Sequence, residues 1–141
     1  MEAKQKKYER MDYLNRLTDI ELLALMIAGE ADNQPLPGKV AVACVPIERL
    51  RRRRWGATLR EVLLQPYQFS TFNDGHWQAF TQRISAYTML AELAIGHLLN
   101  THTNSATHYC RYDLNPMPKW TSKKYSFCLG QIGDHLFYVE K

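Results

Sequence analysis

The chain has 141 residues, 45% of them hydrophobic and 23% charged, with a formal net charge of +4. This is the size of one domain with a real core, and the composition excludes extended disorder. The positive balance, with a sequence pI of about 9.0, favours an anionic partner: nucleic acid, a membrane surface or an acidic wall polymer.

Residues 1–17 mix charge with Tyr8, Met11, Tyr13 and Leu14 and read as an N-terminal arm or short helix. They lack the apolar core of a signal peptide. No apolar run approaches the ~18 residues of a membrane span. The expectation is a chain made in the cytoplasm without a signal peptide and without membrane insertion. A domain over 18–141 follows. Thr18-Asp19-Ile20-Glu21 is a capping box, opening a helix from Asp19 to about Glu30 that is apolar on most sides and hence central. The turn stretch Asp32 to Gly38 leads to a second helix, with Pro37 in its first turn. Pro46 inside that helix removes one backbone bond and predicts a bend. Arg49 and Arg51 to Arg54 place positive charge at its C-terminus, where cations are favourable. Thr58-Leu59-Arg60-Glu61 reads as a second capping box before a short helix to about Leu64. Gln65 to Asn73 is a loop mixing aromatic, amide and hydroxyl groups, which suits sugar rings. His76 to about Leu99 follows helical spacing throughout. THYCRY, YSFCLGQI and HLFYVE are short β-like runs, the last two separated by Gly133-Asp134.

Glu30 stands where an apolar helix meets a polar turn. Partial desolvation there raises a carboxyl pKa, as a general acid near neutral pH requires; a solvated helix-end Glu is the plainer alternative. Other chemistries lack their residues. H-E-x-x-H and G-x-S-x-G are absent, the glycines are scattered, and the five histidines show no ligand spacing, so neither metal nor cofactor is expected. Cys44, Cys110 and Cys128 form no C-x-x-C pair, and an odd count fits a reducing compartment. Cys110 and Cys128 could face each other across a hairpin.

Four stretches stand in order: Ala28-Gly29-Glu30-Ala31; Gly38-Lys39-Val40-Ala41-Val42-Ala43-Cys44-Val45 with Arg49; Gln68-Phe69-Ser70; and Ala106-Thr107-His108-Tyr109 followed by Trp120 and Ile132-Gly133-Asp134-His135-Leu136-Phe137-Tyr138. Together they resemble the SleB-like cell wall hydrolases, the spore cortex-lytic enzymes and their phage-borne relatives. Glu48 stands where the family usually has Asn, and Pro46 interrupts the second motif. The resemblance implies an α+β, mainly α, lysozyme-related single domain with a short C-terminal antiparallel β element. It implies cleavage of the MurNAc-GlcNAc strand of peptidoglycan, as a lytic transglycosylase with Glu30 as catalytic acid. Gln68, Phe69, Ser70, Thr107, His108, Tyr109 and Tyr138 are the expected substrate-binding residues, converging on one cleft. A two-acid hydrolase would draw on Asp32, Glu48 or Asp74. The expected partner is the glycan strand, met by a monomer through phage-type release or carriage on a virion, and nucleic acid is not expected. The competing class is a basic nucleic-acid-binding or structural phage protein, using Arg51 to Arg54 and Trp55.

Overall fold

The computed structural model describes residues 11–73 and 75–141. Residues 1–10 of the expected N-terminal arm lie outside the described residues, as does Asp74. Residues 11–16 are helical, and Leu14 is buried in the main core.

Helix α1 (Asp19–Ala31) is the axis of the domain. Its capping box is complete: the Glu21 N–H donates to Thr18 Oγ1 at 3.1 Å, and the Thr18 N–H to Glu21 Oε1 at 3.0 Å. Every side chain from Leu22 to Ala28 is fully buried, because the helix is apolar all round and must be surrounded. Truncating one of these leucines to Ala costs about 2–5 kcal/mol. Helix α2 (Leu36–Arg52) continues through Pro46, which is itself buried. Arg53 ends it in the left-handed region, at φ 60°. Helix α3 (Leu59–Leu64) has only half of the expected capping box. Thr58 Oγ1 accepts from the Glu61 N–H, but the Glu61 side chain accepts from Ala57 rather than Thr58.

The single helix expected over His76 to Leu99 is two elements. His76–Arg83 is a 3₁₀ helix entered through Gly75 at φ 76°. Only Ile84–Ile95 is α-helix, α4. Periodicity misses the break because 3₁₀ and α spacings coincide at i, i+3. The tighter turn is held by Trp77, which is buried and stacked on Tyr13 at 5.2 Å between ring centroids. His97, at φ 57°, closes α4 where Gly is usual, and the Leu98 N–H donates to the Leu93 carbonyl in the manner of a Schellman turn.

Strands β1 (His108–Arg111), β2 (Ser126–Ile132) and β3 (His135–Glu140) form an antiparallel sheet in the order β1-β3-β2. The domain is thus mainly helical with a small C-terminal sheet, as the sequence pattern predicts. Tyr109 pairs with Phe137 and His108 with Tyr138. Tyr109 and the fully buried Phe137 therefore share the inner face, and His108 and Tyr138 share the outer one. Cys110 and Cys128 sit on the two outer strands with β3 between them, and both are free thiols.

Candidate active site

Glu30 lies in the last turn of α1, half-buried, on a cleft of about 350 Å³. Each carboxylate oxygen has one donor. The Ser70 hydroxyl donates to Oε2 at 2.8 Å, and the Tyr109 hydroxyl to Oε1 at 2.9 Å. Three separate segments thus meet at one carboxyl group. Burial, then the neighbouring Glu30 charge, raises Tyr109 well above the usual phenol value. Tyr109 therefore keeps its proton and can only donate to a Glu30 carboxylate. Ser70 can donate or accept as its hydroxyl turns, so it can serve both protonation states of Glu30.

Ser70 reaches Glu30 because residue 29 is glycine. The 3₁₀ turn Ser70–Phe72 lies directly on it. A Cβ on Gly29 would stand 2.8 Å from Thr71 Cβ and closer still to Thr71 Oγ1 and Cγ2. Thr71 is buried, so its side chain has nowhere to go. Gly29→Ala is expected to cost about 1–3 kcal/mol of stability by overpacking and to lower turnover per folded molecule by moving Ser70 off Glu30. Thermal unfolding and wall digestion measure the two effects. Adding Thr71→Ala should recover part of both.

Arg49 is the strut behind the cleft. It is 4% exposed, yet its partners are a carbonyl and an amide rather than a carboxylate. Nε donates to the Thr107 carbonyl at 2.6 Å and NH1 to Gln68 Oε1 at 2.9 Å. The guanidinium lies over the rings of Trp55 and Phe69 at 4.9 and 5.0 Å. Burial pushes its pKa down to about 10, which still leaves it charged at neutral pH. Gln68 and Thr107 each lie two residues before a Glu30 partner, Ser70 and Tyr109 respectively.

Gln34 plays the same part at the far end. It is buried; its Nε2 donates to Asp134 Oδ2 at 3.0 Å, and its Oε1 accepts from the Asp134 N–H at 2.9 Å. It joins the turn after α1 to the β2–β3 hairpin. Gly133, at φ 59°, makes that hairpin turn, and a Cβ there would also collide with Gln34 Oε1.

Of the expected binding residues, Gln68, Phe69, Ser70 and Tyr109 line the Glu30 cleft. Thr107, His108 and Tyr138 do not, which corrects the expected convergence. Thr107 is fully buried, and its hydroxyl accepts from the Glu140 N–H. His108 and Tyr138 lie on the opposite face of the sheet from Tyr109, because successive strand residues point to opposite faces, and there both rings pack on Trp120. Sequence reasoning missed Asn33, Gln34, Arg111 and Leu114 as cleft residues, and it placed His135 in the β element alone. His135 was within a quoted motif; Gln34 carried no signal, because its partner is on a distant hairpin.

Of the other candidate acids, Asp74 lies outside the described residues, and Asp32 and Glu48 are committed elsewhere. Hydrogen bonds from Tyr87 and then Arg83 hold the Asp32 carboxyl below its ordinary value. Burial by itself would raise Glu48, but hydrogen bonds from Arg51 and Arg52 outweigh it and hold the carboxyl low. Arg54 pairs with Glu140 at 3.0 Å. The arginine run is thus largely internal pairing rather than four free charges, and Arg53 is its one exposed member with no salt bridge among the described residues.

His108 gives the domain a pH signature. Burial, aided by the Arg49 charge, pushes its pKa down to about 4, against about 6.5 for a free imidazole. The unfolded chain therefore binds more protons between these values, and stability must fall as pH drops from about 6.5 towards 4. The melting temperature should decline across that window, and less so in His108→Gln, whose side chain does not titrate. An equal decline in both chains would show that another group carries the effect.

A family model described as Cell Wall Hydrolase matches residues 33–138, beginning just past Glu30. A spore cortex-lytic enzyme of Oceanobacillus iheyensis is 39% identical over 57 residues, which are 40% of this chain and 21% of that enzyme. The chain thus spans about a fifth of the length of that curated relative. The catalytic domain of the Bacillus cereus SleB protein superposes with a TM-score of 0.68 at 27% identity, over 84% of this chain and 88% of that one. The catalytic domain of the germination-specific lytic transglycosylase SleB from Bacillus anthracis gives 0.70 at 26%, over 87% and 97%. The fold is that of the SleB catalytic domain, and the family match covers most of the chain, so this chain belongs to the Cell Wall Hydrolase family.

Proposed function

We propose that this domain cleaves the glycan strand of peptidoglycan between N-acetylmuramic acid and N-acetylglucosamine, as a lytic transglycosylase. The observation that carries this reading is the lone carboxylate of the cleft: among the described residues lining it, Glu30 is the only acid. A hydrolase of the usual kind needs a second carboxylate facing the reacting carbon; Glu48 lies outside the cleft and is held by Arg51 and Arg52, and Asp32 lies outside it with Oδ1 held by Tyr87 and Arg83. A transglycosylase needs one. Glu30 in its acid form protonates the bridging oxygen, and the bond from that oxygen to C1 of muramic acid breaks. The resulting carboxylate then takes the proton of the C6 hydroxyl of the same muramic residue as the C6 oxygen closes onto C1 to form the anhydro ring. The proton returns to Glu30 and no water is consumed. The similarity to a SleB lytic transglycosylase supports the same chemistry.

Gln68, Ser70 and Tyr109 offer polar groups to the sugar beside Glu30, and Phe69 backs the cleft against Arg49. Mass spectrometry of a digest of purified wall tests the reaction class. Anhydro-muramic ends are expected; reducing muramic ends would identify a hydrolase instead. For the setting we propose a phage-type lysin reaching the wall: expression together with a membrane pore-former is expected to lyse the host, and no lysis would reject that setting. No helix among the described residues is long and apolar enough to cross a membrane.

A further inference from the structure

A second depression, of about 450 Å³, lies on the other side of the Glu30 turn. It is lined by Ala28, Gly29, Asp32, Asn33 and Phe80, and it meets the Glu30 cleft at Asn33, which lines both. Two small residues of α1, Ala28 and Gly29, form its floor. One wall is Phe80, half-buried on the 3₁₀ helix His76–Arg83. That helix is anchored from behind by the Trp77–Tyr13 stack. Arg83 and Tyr87 both donate to Oδ1 of Asp32, leaving Oδ2 with no partner among the described residues. An aromatic face, a small floor and a fixed acceptor are thus present before any ligand arrives, which removes much of the ordering cost of binding.

A glycosidic bond has a sugar on each side, and an acid that protonates the bridging oxygen must stand between the two. We propose that this depression binds the pyranose ring on one side of the scissile bond. Phe80 stacks on its CH face, Asp32 Oδ2 accepts from a ring hydroxyl, and the Asn33 amide bonds a hydroxyl or acetamido group at the junction. The proposal rests on the glycan-cleaving reading. It gives a substrate role to the 3₁₀ segment, which the sequence pattern assigned to helix packing, and to Asp32, whose carboxylate binds rather than reacts.

The test uses the non-cleaving Glu30→Gln protein and a defined tetrasaccharide of alternating N-acetylglucosamine and N-acetylmuramic acid. Backbone NMR shifts are expected at Gly29, Asn33 and Phe80 as well as at Ser70 and Tyr109. Phe80→Ala in that background should raise Kd about tenfold, the scale of one lost aromatic contact, whereas Phe80→Tyr should hold it. Phe80→Leu keeps the bulk without the aromatic face and should also weaken binding. Shifts confined to the Ser70 and Tyr109 side, or Phe80→Leu binding as tightly as Phe80, would overturn this subsite and leave the Glu30 reading standing. A tetrasaccharide that neither binds this protein nor is cut by the unmodified one would overturn the glycan reading and the subsite together.

Discussion

Glu30→Gln yields a folded protein that binds wall glycan and does not cleave it. The amide has the size of the acid: its one oxygen can accept from Tyr109, and its NH2 can donate to Ser70, whose hydroxyl turns to accept, in place of the two bonds at 2.9 and 2.8 Å that hold the carboxylate. It cannot give a proton to the leaving oxygen. General acid–base assistance is worth about 10²–10⁴-fold, and a larger loss is expected here because one group serves as acid and then as base. Release of soluble fragments from purified peptidoglycan, per folded molecule, measures it. Glu21→Gln is the control. Gln keeps an acceptor for the Thr18 N–H, as the capping box allows, loses only about 0.3–1 kcal/mol of charge–dipole interaction, and should leave turnover per folded molecule nearly unchanged. Near-normal cleavage by Glu30→Gln would end the single-acid mechanism, and Asp32 would be the next carboxylate to test.

Arg49→Met should cost both stability and turnover, and the turnover loss should exceed what the unfolded fraction explains. Met fills much of the same volume between Trp55 and Phe69 but donates nothing. The Thr107 carbonyl and Gln68 Oε1 then lose their donors, and hydrogen bonds to a charged group are worth about 1.5–3 kcal/mol each. The same loss frees the two segments that carry Ser70 and Tyr109. A misplacement of about 1 Å at a reacting group can cost ~10²-fold in rate, so kcat should fall by that order while KM changes less. Arg49→Lys should recover charge but not rate, since an ammonium cannot reproduce the planar fork that reaches both partners. A fall in melting temperature with unchanged kcat per folded molecule would reduce Arg49 to a packing role.

Much of this domain was legible in the chain because its signals are local. Thr18 and Glu21 are three residues apart and cap each other wherever the helix goes. The unbroken apolar run from Leu22 to Ala28 can only be satisfied at the centre of a domain. Glu30 follows that run by two residues, so its place at a helix end, at the rim of the core, needs no tertiary information. One error was also local and avoidable. Thr107, His108 and Tyr109 are consecutive in an extended run, so His108 and Tyr109 could not both face the same cleft.

Other features depended on contacts between segments far apart in the chain. Which face of β1 looks at Glu30 is set by its register against β3, where Tyr109 pairs with the buried Phe137. The division of His76 to Leu99 into a 3₁₀ turn and a helix depends on Trp77 meeting Tyr13. Glu48 reads as a charge near the site until Arg51 and Arg52 are seen to hold it away. Gln34 is an ordinary turn residue until the hairpin at Gly133 and Asp134 closes on it. The sequence by itself determined α1 to α3, the strands and the acid at the end of α1, because capping, periodicity and turn chemistry act over a few residues. Only the tertiary structure decided which groups surround that acid, because Ser70, Tyr109 and the Arg49 strut come from separate segments whose approach is governed by core packing and strand register.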